Sequence, residues 1–278
     1  MHQDISFCAH ELSTPKSPDP NGDMVRHASL MAAPKNLYIR FRCILDTSIT
    51  LDERSLKVID FENFRLAPRF DNAAQSALLR PNPKLAHALA NSKAKGLPPI
   101  SVVPLSGQYL SILAGIMGAK SVLEIGTLGG YSTICFAEAG AKVTSIEIDP
   151  RHRDVALENV DGLDVEILLG AALEVLPKLA EEGRQFDMVF IDADFDDQWE
   201  HFDWAVKLTR PKGCVFLDDV VVSMLKNGQT GEGGSDSILT KVGKDDRVMA
   251  TLVSTAATHP MIPTPAMNGF IMAMVKDH

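Results

Sequence analysis

The sequence predicts an α/β protein built on a doubly wound, mostly parallel sheet. Five short apolar runs between residues 121 and 217 alternate with helix-like stretches, which is typical of βαβ units. The first of these runs ends in a glycine-rich turn, VLEIGTLGGYST, at residues 122–133. Two further apolar runs near the C-terminus have no helix between them and should pair as antiparallel strands at one edge. The expected sheet therefore has seven strands, with an antiparallel edge strand.

Each element follows from a local pattern. A helix is expected over 82–96, closed by Gly96, and a second over 106–120, where apolar residues share one face. The five strands are SVLEIG, KVTSIEID, LDVEILLG, FDMVFIDA and GCVFLDDV, and the helices between them are YSTICFAEAG, RHRDVALENV, a segment around 172–182, and DDQWEHFDWAVKLT. The chain then continues with a helix in SDSILTKVGKDD, a strand in RVMATLVS, a loop in TAATHPMIPTPAMN and a strand in GFIMAMV.

Two parts of the chain differ in composition. Residues 1–67 contain the polar, proline-rich stretch STPKSPDPNGD and are expected to be a partly disordered extension of unknown role, with one strand in NLYIRFRCIL. Residues 68–278 carry the regular pattern and are expected to form the functional domain.

Composition excludes several classes of partner. The net charge of −9 disfavours binding to nucleic acid or to anionic membranes, and no apolar run reaches the ~18 residues of a membrane span. No secretory signal is recognisable at the N-terminus, so a cytoplasmic enzyme acting on small molecules is expected. The four cysteines contain no CxxC pair, which argues against a zinc site, and Cys135 and Cys214 are expected in the core.

The carboxyl ends of the predicted strands gather polar residues. In a doubly wound sheet, ligands bind beyond these ends. Here the glycine turn, Glu147, Gly170, Asp192 and Asp218 end the five strands in succession, so they should share one edge.

The turn favours a cofactor without a pyrophosphate. The dinucleotide fingerprint GxGxxG needs a second glycine for close approach of the pyrophosphate, and Leu128 stands at that position. This substitution disfavours NAD and FAD and suits S-adenosylmethionine, which carries no phosphate. Glu147, 21 residues after Gly126, can accept hydrogen bonds from both hydroxyls of a ribose. Glu124 lies inside an apolar strand, where an unpaired buried carboxylate is costly. Either it has a role near the amino-acid end of the cofactor, or the strand alternation turns it toward the surface.

Four motifs together resemble the cation-dependent O-methyltransferases, the family of caffeoyl-CoA and catechol O-methyltransferases and their bacterial and fungal relatives. They are VLEIGTLGGYSTI, SIEIDP, FDMVFIDAD and FLDDVV, and the likeness runs from about residue 68 to residue 276. The resemblance implies a Rossmann-like methyltransferase fold and O-methylation of a small hydroxylated aromatic acceptor, catechol-like or phenolic. Relatives are often dimers, so a homodimer is also an expectation by analogy.

The resemblance also implies roles for individual residues. Glu124, Gly126 and Ser132 would hold the methionine part of S-adenosylmethionine, Glu147 the ribose, and the backbone amide of Ala171 the adenine region. Asp192, Asp218 and Asp219 would bind a divalent cation, and Asp192 would also contact the cofactor and act as the catalytic residue. If the fourth and fifth strands are neighbours, these three carboxylates converge, and hard oxygen ligands suit Mg²⁺, or Mn²⁺ and Ca²⁺ as substitutes. Such an ion would acidify and orient the acceptor hydroxyl.

The sequence departs from the family pattern at two positions. The third metal ligand is usually Asn, and Asp219 adds a negative charge there. The family also places a catalytic lysine three residues after the first metal aspartate, where this chain has Phe195. Loss of a positioned base typically costs about 10²- to 10⁴-fold in rate. Three explanations compete: the metal alone ionises the acceptor, another group such as Asp194, Asp196 or His201 serves as the base, or the protein binds its cofactor and barely catalyses.

Residues around these aspartates have structural interpretations as well. Asp196 and Asp197 are expected to open a helix, where negative charge suits the dipole, and His201 is expected on its surface. Trp199, Phe202 and Val206 fall at helical spacing and are expected in the core. Two segments, KNGQTGEGGSD and the insert at 259–265, are candidate lids over the acceptor.

Three functions remain open on the sequence. The leading hypothesis is a metal-assisted O-methyltransferase. The alternatives are a metal-independent methyltransferase of the same fold, and a weakly catalytic S-adenosylmethionine-binding accessory protein, which Phe195 favours. A nicotinamide enzyme fits less well because of Leu128.

Overall fold

The computed structural model describes residues 61–229, 236–257 and 266–277. These residues belong to one compact unit, Leu56–His278. The extension predicted over 1–67 falls almost entirely outside the described residues, as does the strand predicted in NLYIRFRCIL. The centres of the two candidate lids, 230–235 and 258–265, also lie outside them.

The described part of the chain alternates helices and strands as the sequence predicts. A short 3₁₀ helix, Phe61–Leu66, comes first. The helices that follow are α1 (Ala67–Leu78), α2 (Pro83–Ala94), α3 (Pro104–Met117), α4 (Tyr131–Glu138), α5 (Pro150–Asn159), α6 (Ala172–Glu181), α7 (Gln198–Leu208), α8 (Val220–Lys226) and α9 (Ile238–Gly243). The strands are β1 (Ser121–Ile125), β2 (Lys142–Glu147), β3 (Val165–Leu169), β4 (Phe186–Ile191), β5 (Thr209–Leu217), β6 (Val248–Ala257) and β7 (Ala266–Val275). None of the helices among the described residues is long and apolar enough to cross a membrane.

The seven strands form one sheet in the order β3-β2-β1-β4-β5-β7-β6. Strands β1 to β5 pair in parallel, whereas β7 pairs antiparallel with both β5 and β6. The predicted doubly wound sheet with an antiparallel pair at one edge is thus confirmed. Because β7 runs against β5, its first residues lie beyond the carboxyl end of β5, on the edge where ligands are expected.

Apolar clusters cover both faces of the sheet. One contains Leu123, Val189, Val215 and residues of α6 and α7, including Phe202 and Val206. The other contains Phe136, Phe190 and Phe216. Trp199 packs against the first cluster, as its spacing predicted. Cys135 and Cys214 are free and buried, which confirms their expected place in the core.

The structure corrects four local predictions. Two helices, α1 and α8, were not expected, and the valine-rich run in α8 reads locally as strand. The loop predicted over 255–268 is shorter, since β6 extends to Ala257 and β7 begins at Ala266. His201, expected on the surface, is buried with 2% of its surface exposed. The reason is that His201 lies on the same face of α7 as Gln198 and Ala205, one turn before and one turn after it, and this face is buried.

Candidate active site

The carboxyl ends of five strands are level with one another. Backbone hydrogen bonds join them in a row: Asp218 N–H to Ile191 C=O, Asp192 N–H to Ile125 C=O, Gly126 N–H to Ile146 C=O and Gly170 N–H to Glu147 C=O, each 2.9 Å long. The residues that directly follow these strands are therefore held side by side on one edge of the sheet. This is the register that the sequence predicted for the glycine turn, Glu147, Gly170, Asp192 and Asp218.

The glycine turn is tightly packed against the end of β4. Gly126 has φ +96°, and a Cβ there would overlap the carbonyl oxygen of Asp192. The turn ends at Gly130, which has φ +78° and is the N-cap of α4. Leu128 also has a positive φ, +50°, which an L-residue adopts only at a cost. The backbone of β1 thus passes beside Asp192 as closely as a glycine allows.

Glu147 fixes this turn from the end of β2. Its Oε2 accepts hydrogen bonds from the backbone N–H groups of Leu128 (2.7 Å) and Thr127 (3.2 Å). Its Oε1 accepts one from the N–H of Asp149, 2.9 Å away. Only 5% of the surface of Glu147 is exposed, so it is not a solvated strand-end acid. A carboxylate has about four acceptor sites, which leaves capacity for a ribose hydroxyl.

Glu124 lies wholly inside the protein beneath the turn. Three hydroxyl groups donate hydrogen bonds to its carboxyl group: those of Ser132 (2.6 Å), Ser145 (2.6 Å) and Thr133. The group is fully buried, and burial raises its pKa to about 7 although these hydrogen bonds act in the opposite direction. A surface-facing position for Glu124 is therefore excluded. Its carboxyl group joins the start of α4, through Ser132, to strands β1 and β2.

Three aspartates follow β4 and β5. Asp192 and Asp218 come directly after the paired residues Ile191 and Leu217, so their backbones are neighbours. Burial, followed by the charges of Asp218 and Asp219, raises the pKa of Asp192 well above its ordinary value. Burial and the charge of Asp219 raise the pKa of Asp218 to about 7. Such mutually repelling hard oxygens are a donor set that a divalent cation would stabilise.

Asp219 has an unusual backbone conformation. Its φ of +56° lies in the left-handed region, which Asp and Asn tolerate better than most residues, and it is the N-cap of α8. Its Oδ1 accepts a hydrogen bond from Nδ2 of Asn268, 2.7 Å away at the start of β7. Sequence analysis missed Asn268, because the residues around it resemble a loop.

A lysine approaches the position of Phe195. The Nζ atom of Lys226, at the end of α8, lies 5.0 Å from the centre of the Phe195 ring, within the range of a cation–π contact. Lys226 is exposed and Phe195 is half-buried. The sequence contained no signal for this contact, because the two residues lie on different connections of the sheet.

A second polar group lies on the connection between β4 and α7. Ligand atoms of Asp194, Asp197 and His201 lie within 4.8 Å of one another. Within the described residues this is the only set of three or more acidic, histidine or cysteine side chains gathered so closely, and the oxygens of Asp192, Asp218 and Asp219 are spread more widely. Oδ1 of Asp194 already accepts hydrogen bonds from two backbone N–H groups. The Nδ1 atom of His201 is buried without a partner, and burial lowers the pKa of this histidine.

The remaining predicted residues are close to the same edge. Ser132 is buried in the first turn of α4 and is bonded to Glu124. Ala171 follows Gly170 and is the N-cap of α6. The structure therefore brings every predicted site residue to the carboxyl edge of the sheet.

A doubly wound sheet with a glycine turn, a buried acid after β2 and carboxylates after β4 and β5 defines a class of nucleoside-cofactor enzymes. Residues 79–255 match the model of a protein family that is described as "O-methyltransferase". The chain belongs to this O-methyltransferase family and is a methyltransferase enzyme.

Curated relatives and solved structures agree with this assignment. The chain is 38% identical to the O-methyltransferase imqG of Aspergillus flavus, over 71% of this chain and 85% of the relative. It is 34% identical to the catechol O-methyltransferase of Mycobacterium tuberculosis, over 75% of this chain and 96% of the relative.

Among solved structures, an O-methyltransferase from Bacillus cereus in complex with SAH has a TM-score of 0.66 and 33% identity, covering 75% of this chain and 97% of that one. The O-methyltransferase TomG of Streptomyces achromogenes, in complex with SAM, has a TM-score of 0.65 and 31% identity, covering 75% of this chain and 96% of that one.

Proposed function

We propose that the protein transfers a methyl group from S-adenosylmethionine to a hydroxyl group of a small aromatic acceptor, with the help of a divalent cation. The observation that carries this proposal is the level row of strand ends, which puts the glycine turn and Glu147 beside Asp192 and Asp218. In this proposal one edge of the sheet would hold the cofactor and the cation side by side. We assign the activity to residues 68–278 and leave the extension over 1–67 without a role.

S-adenosylmethionine fits the polar groups of β1 and β2. Two similar solved structures hold SAH or SAM, as their names state. Glu147 would accept hydrogen bonds from the ribose, and the amide of Ala171 would face the adenine. Gly126 and Ser132 would hold the methionine part. Glu124 has no exposed surface, so it would support this part through Ser132 rather than by direct contact.

Asp192, Asp218 and Asp219 would hold the cation. A Mg²⁺ ion there supplies a Lewis acid that acidifies an acceptor hydroxyl and orients its oxygen. Three carboxylates bind a divalent ion more tightly than two carboxylates and an amide, but they also weaken its pull on the acceptor proton. Asp194, Asp197 and His201 are the competing ligand set, and they are disfavoured because Asp194 is exposed and already engaged with backbone groups.

Lys226 is our candidate for the charge that the family supplies from the position of Phe195. An exposed lysine carries a positive charge, which stabilises an acceptor oxygen as its proton leaves for water. That oxygen then attacks the methyl carbon, the carbon–sulfur bond breaks, and the products are a methyl ether and S-adenosylhomocysteine. Asp194, Asp196 and His201 remain alternatives to Lys226.

The relatives support the proposed acceptor class. Two similar proteins, from Niastella koreensis and Mycobacterium tuberculosis, are named catechol O-methyltransferases. A catechol would present two adjacent oxygens to a cation, which suits the aspartate cluster. A metal-independent methyltransferase of the same fold is the runner-up, and a homodimer is expected only by analogy with relatives.

The test is a methyl-transfer assay over a panel of catechols and simple phenols, with Mg²⁺ or with EDTA. We expect turnover on at least one catechol with Mg²⁺ and its loss in EDTA. Asp218→Ala should abolish this turnover yet bind S-adenosylhomocysteine as the wild type does. Glu147→Ala should weaken cofactor binding at any metal concentration.

A matched variant separates the two ligand sets. Asp197→Asn removes a carboxylate from the competing group and should leave the Mg²⁺ dependence unchanged. Full turnover of Asp218→Ala, or equal turnover of the wild type in Mg²⁺ and EDTA, would rule out the cation site at Asp218.

A further inference from the structure

The side chain of Asn268 is fixed in one orientation by two hydrogen bonds. Its Oδ1 accepts from the backbone N–H of Gly269 (2.7 Å), and its Nδ2 donates to Oδ1 of Asp219 (2.7 Å). The first bond determines which end of the amide is oxygen. The NH₂ end must therefore face the carboxylate of Asp219.

The backbone around Asn268 leaves little freedom for another arrangement. A Cβ at position 269 would lie 2.7 Å from the carbonyl oxygen of Val253 and 2.8 Å from a methyl group of Val221, so only glycine fits there. Gly269 packs in this way between β6 and α8, and it carries Asn268 to a place opposite the N-cap of α8. The start of β7 is thus locked against the segment that bears Asp219.

We propose that Asn268 is a positioning residue for the divalent-cation site: it holds the carboxylate of Asp219 in place and offsets the charge of the third aspartate. This inference rests on the proposed function, because it assigns the cation to Asp192, Asp218 and Asp219. An aspartate at position 268 would still accept from Gly269 N–H, but its other oxygen would then face Asp219 with no proton between them. Position 268 must therefore donate as long as position 219 is an acid.

The hydrogen bond between positions 219 and 268 can also form with its donor and acceptor exchanged. In the double variant Asp219→Asn, Asn268→Asp, the amide at 219 would donate to the carboxylate at 268, with the same net charge and the same bond. In Asp219→Asn alone, the amide oxygen at 219 still accepts from Asn268. Only Asn268→Asp alone places two carboxylates in contact.

The first experiment measures this contact without metal. The thermal midpoints of the wild type, both single variants and the double variant are compared in EDTA at about pH 8. We expect the thermal midpoint of Asn268→Asp to be about 3 °C lower than that of the wild type, and the midpoints of the other two variants to stay within about 1 °C of it. Met267→Asp, which adds a carboxylate at an exposed neighbour on the same strand, is the control and should not be rescued by Asp219→Asn.

The second experiment measures Mn²⁺ binding by calorimetry in the full chain. Asn268→Leu keeps the size of the side chain but removes both hydrogen bonds, and it should weaken Mn²⁺ binding about tenfold, as loss of a residue that orients a ligand does. S-adenosylhomocysteine affinity should not change in Asn268→Leu.

The outcomes separate the two proposals. If the wild type binds no Mn²⁺, the cation part of the proposed function and the positioning role of Asn268 both fail, while the midpoints in EDTA still report the contact itself. If the wild type binds Mn²⁺ but Asn268→Leu binds it equally well, the proposed function stands and the inference about Asn268 is wrong. Equal midpoints for Asn268→Asp and the double variant would also overturn it.

Discussion

Replacing Glu124 by glutamine should remove a loss of stability that the wild-type chain suffers as the pH rises from about 5 to about 8. The cause is the pKa of this fully buried carboxyl group, which burial raises from 4.5 to about 7. A raised pKa means that the folded state holds the proton more tightly than the unfolded state does. The stabilisation is therefore complete below the unfolded pKa and is lost as the pH rises through the folded pKa.

The magnitude follows from the two pKa values. A shift from 4.5 to about 7 makes the loss between about pH 5 and about pH 8 roughly 2.5 kcal/mol in the free energy of unfolding. Glutamine is close in shape to the protonated acid and offers an acceptor oxygen and a donor to the surrounding hydroxyls, which can rotate to match. The variant should thus retain the fold while lacking this pH-dependent contribution.

The assay is urea unfolding of both proteins at several pH values across this range. The difference in free energy between Glu124→Gln and the wild type should move in favour of the variant by roughly 2.5 kcal/mol from the low to the high pH. Glu174→Gln, at an exposed position on α6, is the control, and its difference from the wild type should stay nearly constant. Parallel pH profiles for Glu124→Gln and the wild type would show that Glu124 is charged in the folded state and that this reasoning is wrong.

Two further predictions concern the turn and the lysine. Gly126→Ala should lower the free energy of unfolding by more than about 2 kcal/mol, because a Cβ at φ +96° would overlap the carbonyl of Asp192. The control is Gly183→Ala, at φ +70° with open space around it, which measures the cost of the backbone conformation alone. An equal loss of unfolding free energy in both variants would show that the overlap with Asp192 contributes nothing. Lys226→Met should lower methyl-transfer turnover about tenfold or more without changing S-adenosylhomocysteine affinity. The control is Lys244→Met, at an exposed lysine beside α9. Equal turnover of both variants would show that Lys226 has no role in the reaction.

The order of strands and helices was predictable because each strand of the parallel sheet is an apolar run closed by a glycine or an acid. The two missed helices lack such a signal. Helix α1 contains no buried residue, and Leu66 at its N-cap provides no side-chain capping signal. Helix α8 begins with three valines, which favour strands, and it is helical because its Val220, Ser223 and Met224 pack inward at helical spacing.

The candidate site was predictable to the same extent as its strands. Glu147, Asp192 and Asp218 stand directly at strand ends, so the topology alone brings them together. Asn268 and Lys226 were not predictable, because each reaches the site from a segment that local rules describe as loop or strand. The antiparallel register of β7 determines the position of Asn268, and the length of helix α8 determines the position of Lys226.

The positions that break local rules concentrate at the carboxyl edge of the sheet. Glu124 is an acid within a core strand. Two of the three non-glycine residues with positive φ in the described chain lie at the same edge: Leu128 in the glycine turn, and Asp219 directly after Asp218. Each such feature costs stability, of order 1–3 kcal/mol for a strained backbone. A fold that obeys local rules along the rest of its sheet would not retain several of these costs at one edge unless a bound ligand recovered them. Positively charged ligands, a sulfonium cofactor and a divalent cation, would recover them best at an edge that carries five acids.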